Sequence, residues 1–199
     1  MKIYYQILFL LITCLIIPDR IASAQVDKNE VEKSIDRTEM PAPALSLLNQ
    51  FWNEDKKVDF YRQSDGVEIS YEAKLDWNGH QYSIEFDSKG LLLNVEQLID
   101  FEELSPTLQN TITEEINKQY SKFRFTRIQR QYSALEEDDD EEVLEDVLEE
   151  DLDDLNIRFE IEADAQNKDE LGSFEFLFDE NGTFIQKRRI VRRSLDNIW

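Results

Sequence analysis

The chain has 199 residues, with 22 Lys and Arg against 44 Asp and Glu, a formal net charge of −22. So acidic a surface repels phosphate backbones and anionic lipid, which excludes a general nucleic-acid binder and adhesion to membranes by charge. Cys14 and His80 are the single cysteine and histidine; they offer no disulfide framework, and no set from which a zinc site or a catalytic triad is built.

Residues 1–24 read as a signal peptide. Lys2 gives the positive start, Ile7 to Ile17 is an apolar run too short to span a bilayer, and Ala22-Ser23-Ala24 fits cleavage before Gln25. The predicted location is periplasmic or secreted, with no membrane span after removal. Lipidation at Cys14 is the weaker alternative, because Leu11-Ile12-Thr13 lacks the small residues that processing favours. The mature chain is then free of cysteine and more acidic by one charge, since the leader holds Lys2, Arg20 and Asp19.

Residues 25–40 are polar without a sustained period and read as a lead-in. Pro41 and Pro43 open a short helix, with Ala44, Leu45, Leu48, Phe51 and Trp52 on one face. Residues 57–96 read as an antiparallel meander of about four strands. Val58 and Phe60 mark the first. Ile69, Tyr71, Ala73, Leu75 and Trp77 alternate in the second, and Asn78-Gly79 is a strong hairpin signal. The third is Tyr82-Ser-Ile-Glu-Phe86-Asp87-Ser-Lys-Gly90, turning into Leu91 to Val95.

Ser105 and Pro106 are suited to start a second helix, striped by Leu104, Leu108, Ile112 and Ile116. Lys122 to Tyr132 is a basic strand in which Ile128 breaks the alternation, predicting a bulge or bend. Between Glu136 and Asp154, 14 of 19 residues are acidic. Val143, Leu144, Val147, Leu148, Leu152 and Leu155 recur at helical spacing, although repulsion between like charges opposes a helix. Ile157, Phe159, Ile161 and Ala163 alternate in the next strand. Phe174-Glu-Phe-Leu-Phe178-Asp179-Glu-Asn-Gly182 then restates the earlier phrase, and Thr183 to Arg193 forms a basic last strand.

In both phrases Asp87 and Asp179 suit the start of a turn, and Gly90 and Gly182 its left-handed end; these four are structural turn residues. Comparing the halves, the spacing jumps where the acidic stretch sits, which makes it an insert. The predicted class is α+β, with two tandem units, each a helix packed on an antiparallel sheet of about four strands. They span residues 41–103 and 104–199, with the insert at 135–155.

Tyr71-Glu72, Phe86-Asp87 with Gly90, Phe159-Glu160, and Phe178-Asp179 with Gly182 resemble the PepSY-like periplasmic family, over roughly residues 41–193. That family is related in fold to the β-lactamase inhibitor protein. The resemblance implies an α+β sandwich of tandem units without catalytic residues, and brings no assigned activity.

No catalytic, cofactor-binding or metal-ligating residue is expected. The partner-binding candidates are Glu72, Lys74, Asp76, Glu85, Arg158, Glu160, Glu162 and Glu175, on a charged, open sheet face. The predicted function is a non-enzymatic secreted or periplasmic interaction module, an inhibitor or regulator of an envelope enzyme, with an unidentified protein partner. The alternative is a calcium-responsive protein acting through the insert, which lacks an Asp-x-Asp-x-Asp-Gly loop. Other readings of the insert are a solvated loop and a cover over the basic strands.

Overall fold

Among the described residues, ten strands hydrogen-bond into one sheet; numbered along the chain, their order across it is 1-10-9-8-7-6-5-4-3-2. The structure, a computed structural model, describes residues 27–53, 55–66, 68–135 and 140–191. The leader with Cys14, and Arg192, Arg193 and Trp199, lie outside the described residues. The strands are β1 (Asp27–Lys28), β2 (Glu30–Ile35), β3 (Asp59–Asp65), β4 (Glu68–Trp77), β5 (His80–Asp87), β6 (Leu92–Leu98), β7 (Lys122–Ala134), β8 (Leu155–Gln166), β9 (Leu171–Asp179) and β10 (Phe184–Ile190). The helices are α1 (Ala42–Phe51), α2 (Pro106–Gln119) and α3 (Asp140–Glu149).

β1 and β2 occupy opposite edges of the sheet, yet only Asn29 separates them. One residue spans under 4 Å of chain, so the two edges must meet. The sheet curls into a nearly closed barrel. Its closing pairs are Asp27 with Arg189 and Lys28 with Ile190 on one side, and Glu30 with Asp65 on the other. Every neighbouring pair is antiparallel except β1 with β10.

This architecture corrects the expected two tandem helix-on-sheet units of an α+β protein. β6 pairs with β7 through Val95 and Tyr132, and Glu96 and Gln131, so the strands of both halves belong to one sheet. Two separate sheets would each expose edge backbone groups, and the β6–β7 pairing satisfies them. Strand dominates the described residues, and the helices number three rather than two.

The polar lead-in is also corrected, since it holds β1 and β2. One face of this segment turns Lys28 and Glu30 toward a polar interior, with the exposed Glu32 at its rim, and Val31 on the other is 37% exposed. Neither face is apolar, so no alternation marks it. The irregularity in β7 lies between Phe125 and Arg127, just before Ile128.

All three helices cover the apolar face. Ala44, Leu47 and Leu48 of α1 join Val143, Leu144 and Val147 of α3 over Phe60, Ala73, Ile84, Phe86 and Val95. Ile112 and Ile116 of α2 pack with Phe159, Ile161, Phe174, Phe176 and Phe178 in a second cluster. The Ser105 side chain caps α2 by accepting from Leu108 N at 3.3 Å. Each of the first two helices follows a short 3₁₀ turn with the same device. Asp36 N donates to Glu39 and Asp100 N donates to Glu103, at 2.9 and 2.7 Å; these are capping boxes. The acidic α3 holds to the sheet by its apolar stripe, and Leu92 N donates to Asp140 at 2.9 Å.

Candidate functional site

The inner face of the curled sheet is mostly polar, with Glu72, Ser83, Glu96, Gln129, Glu160 and Glu175 buried at its centre and Glu68, Ile69 and Leu93 exposed at its rim. Period-two alternation turns Ala73, Ile84, Phe86 and Ile161 outward to the helices. It turns Glu72, Ser83, Glu85, Gln129 and Glu160 inward. Of these, Glu72, Glu85, Gln129 and Glu160, with Lys28, Glu96 and Arg188, line a cavity of about 860 Å³, and Ser83 lines a smaller one beside it. A second cavity of about 530 Å³ shares Lys74, Glu96, Arg127 and Gln129 with it, and extends to Lys56, Lys57 and Asp76.

The buried carboxylates are held by specific partners. Glu72 accepts from Gln63 at 2.8 Å and from Ser83, and pairs with Lys74 at 3.0 Å. Glu85 accepts from Asn94 at 3.0 Å, while Asn94 Oδ1 is buried without a partner. Glu96 accepts from Gln129 and from Gln131. Lys28 reaches Glu175 at 2.5 Å and Glu160 at 3.2 Å, with Glu30 at 3.4 Å. Arg188 Nε donates to the other oxygen of Glu175 at 2.7 Å.

Taking a carboxylate out of water favours its protonated form unless a cation compensates. Burial raises Glu72 to about 7 and Glu160 to about 8, against the pull of Lys74 and Lys28 respectively. Burial, then repulsion from Glu85 and Glu160, holds Glu96 well above the ordinary range. Glu85 is raised too, chiefly by burial. Glu175 is the exception: burial pushes it up, but Lys28, a hydrogen bond from Glu160 and then Arg188 outweigh that and leave it below the ordinary range. Burial alone would lower Lys28, yet Glu160, Glu175 and Glu30 raise it. The inner wall thus mixes a proton-holding acid, Glu160, with an ionised one, Glu175, around one ammonium.

Of the expected partner-binding residues, Glu72, Lys74, Glu85, Glu160 and Glu162 line the larger cavity, and Asp76 lines the second. Glu175 lies beneath Lys28 and Arg188. Arg158 falls between Gln131 and Asp179 in register and lines neither cavity. The face is not the open surface expected. Glu72 and Glu175 are each only 3% exposed, because closure by residues 27–35 turns a face into an interior. Lys28, Gln63, Asn94, Glu96 and Gln129 were not anticipated. The available signal was neutral polar residues, Ser83 and Gln129, where a wet face would carry charges.

The turn residues form two matching hairpin tips. Asp87 accepts from Lys89 N at 2.7 Å and Leu91 N at 3.0 Å. Asp179 accepts from Asn181 N at 2.9 Å and Thr183 N at 2.7 Å. Gly90 and Gly182 have φ of 86° and 80°. His80 opens β5 and stacks edge-on with Tyr82 at 6.5 Å. Among the described residues, no group of three or more His, Cys, Asp or Glu is arranged to hold a metal ion.

The curled sheet with its outer helices defines a fold class already seen in solved structures. The chain has the fold of a DUF2874 family protein from Bacteroides ovatus, with a TM-score of 0.51 at 14% identity, over 75% of this chain and 87% of that one. It is also similar to a BLIP-like protein from Bacteroides fragilis, with a TM-score of 0.46 at 14% identity, over 80% and 92%. No protein-family model matches the chain, and no curated protein matches its sequence. The PepSY-like resemblance has no counterpart in these comparisons.

Proposed function

We propose that this is a non-enzymatic binding protein of the cell envelope whose recognition site is the cavity inside the curled sheet. The cavity takes a cationic group presented by a protein partner. The observation that carries this reading is that Glu160 and Glu175 already hold an ammonium there, that of Lys28. An ionised carboxylate backed by Arg188, beside a second acid that keeps its proton, is a site for one positive charge. Acceptors such as Asn94 Oδ1 line the same wall. The envelope location rests on the leader pattern of residues 1–24, and the finer role, an inhibitor or regulator of an envelope enzyme, on the family resemblance. Among the described residues no helix is long and apolar enough to cross a membrane.

The test is a calorimetric titration of the mature chain with an oligolysine. The expected result is saturable 1:1 binding that Glu175→Gln weakens about tenfold or more, the scale of losing one buried charge partner. Neutralising the exposed Glu145 and Glu149 of α3 changes it about twofold at most, as for screened surface charges. Equal effects from both sets, or no binding, contradict the reading.

A further inference from the structure

Residues 27–35 close the sheet with little apolar support. β1 pairs with β10 over two residues only, Asp27 with Arg189 and Lys28 with Ile190. β2 lies along β3 from Glu30 to Ile35, but its four central residues are exposed. Ile35 alone packs against a core cluster, and only partly buried. The segment is therefore held by backbone hydrogen bonds and a few polar contacts, those of Lys28, the half-exposed Glu32–Lys74 pair at 2.5 Å and Asn29 N donating to Asp65 at 3.3 Å, the conditions for opening locally before the rest of the sheet. It precedes every other described element, so it can leave without unthreading any of them. Its departure bares two strand edges, β3 and β10, at the mouth of the cavity.

We propose that residues 27–35 are a displaceable strap, and that the partner enters as an extended segment whose lysine takes the place of Lys28 between Glu160 and Glu175. This rests on the reading of the cavity as the recognition site. The partner is extended because the bared groups are strand edges, which recognise a chain by main-chain pairing. It carries a lysine because Arg188 already occupies one oxygen of Glu175, at 2.7 Å. What remains there is a point contact for a compact ammonium rather than a carboxylate free for a planar fork. In the absence of a partner the strap covers both edges and keeps copies of the chain from pairing through them.

Two measurements test this on the full mature chain. In native-state hydrogen exchange, amides of residues 30–35 are expected to exchange about a hundredfold faster than those of β8 and β9, through local opening. Exchange as slow as in β8 and β9 overturns the strap. Next, synthetic peptides of residues 25–36, with and without Lys28→Met, are titrated into the chain carrying Lys28→Met. The lysine peptide is expected to bind about tenfold tighter than its substituted form, the scale of a buried charge pair. It is also expected to speed exchange of the chain's own residues 30–35. Equal binding of the two peptides, or a strap that stays protected with the peptide bound, overturns the proposal. Should the substituted chain fail to fold, the exchange pattern of the parent decides. Oligolysine binding with the strap still protected sinks the strap alone, whereas no oligolysine binding sinks the cavity reading beneath it.

Discussion

Lys28 Nζ lies 2.5 Å from Glu175 Oε2, joining the first strand of the sheet to the ninth. With the Val191 N to Lys28 O bond at 2.9 Å, this contact fastens the edge at which the barrel closes. The Lys28 side chain is 17% exposed and that of Glu175 is 3% exposed, so neither charge is well solvated. Replacing Lys28 by Met leaves the ionised Glu175 with Arg188 as its one remaining cation. The expected loss is about 3 kcal/mol, the usual scale for orphaning a buried charge, eased by Arg188 at Glu175. Urea unfolding of the two chains measures it; a loss under about 0.5 kcal/mol would place Lys28 among ordinary surface charges.

Stability should fall as pH rises through neutrality. Glu72 and Glu160 are raised to about 7 and about 8, from an ordinary 4.5. Between those limits the native state holds more protons than the unfolded one, so unfolding releases them. The stabilisation from these groups is complete below about 4.5, declines through pH 7 to 8, and is flat above. Glu175, Asp87 and Asp179 are shifted down and act oppositely, losing their stabilisation in acid. Melting temperature should therefore be higher at pH 5 than at pH 8. Glu160→Gln, which mimics the protonated acid, should flatten that slope; an unchanged slope would mean that Glu160 ionises normally.

Two glycines with similar backbone angles should respond differently to alanine. Gly79 and Gly90 have φ of 87° and 86°. A Cβ at Gly79 meets nothing within 4 Å, while one at Gly90 comes within 2.8 Å of Pro41 Cβ and 2.9 Å of Ala44 N. Left-handed strain alone costs about 1 kcal/mol. The clash with α1 adds about 2 kcal/mol more at Gly90. Thermal denaturation of Gly79→Ala and Gly90→Ala reads the difference, and equal losses would mean that α1 does not press on the hairpin tip.

The parts of this fold that showed in the sequence are those where one face is apolar. Tyr71 to Trp77, Phe174 to Phe178 and the α2 stripe all carry a period, because one side meets the helices and the other is polar. The Asp-x-x-Gly tips were legible because turn chemistry is local. The joining of β6 to β7 was not, since a pairing between Val95 and Tyr132 leaves no local trace. The cavity was hidden for a related reason. Glu72, Glu160 and Glu175 look like wet-face charges, and only the strap at Lys28 makes them interior. The paired Asp36-x-x-Glu39 and Asp100-x-x-Glu103 boxes were readable but lay in a stretch that shows no period.

The acidic segment should contribute to stability through its apolar side. Leu144 is fully buried, in the cluster that α1 also joins. Leu144→Ala should cost about 3 kcal/mol, as for other deeply buried leucines. Glu145→Ala, at an exposed position, should change stability by less than about 0.5 kcal/mol. A Leu144 loss as small as that of Glu145 would mean that α3 is not docked.

The central claim is that a cation from a partner enters the interior of the sheet. Gln63, Asn94, Gln129 and Gln131 each carry a side-chain amide in the cavity wall, with a resolvable nitrogen–proton signal of its own. Titrating a lysine-bearing peptide while recording these four signals is the most direct measurement. The account predicts that they shift together and saturate, while backbone signals of α2 and α3 stay in place. Shifts confined to α3 or the outer helices, with the four cavity amides unmoved, would contradict it.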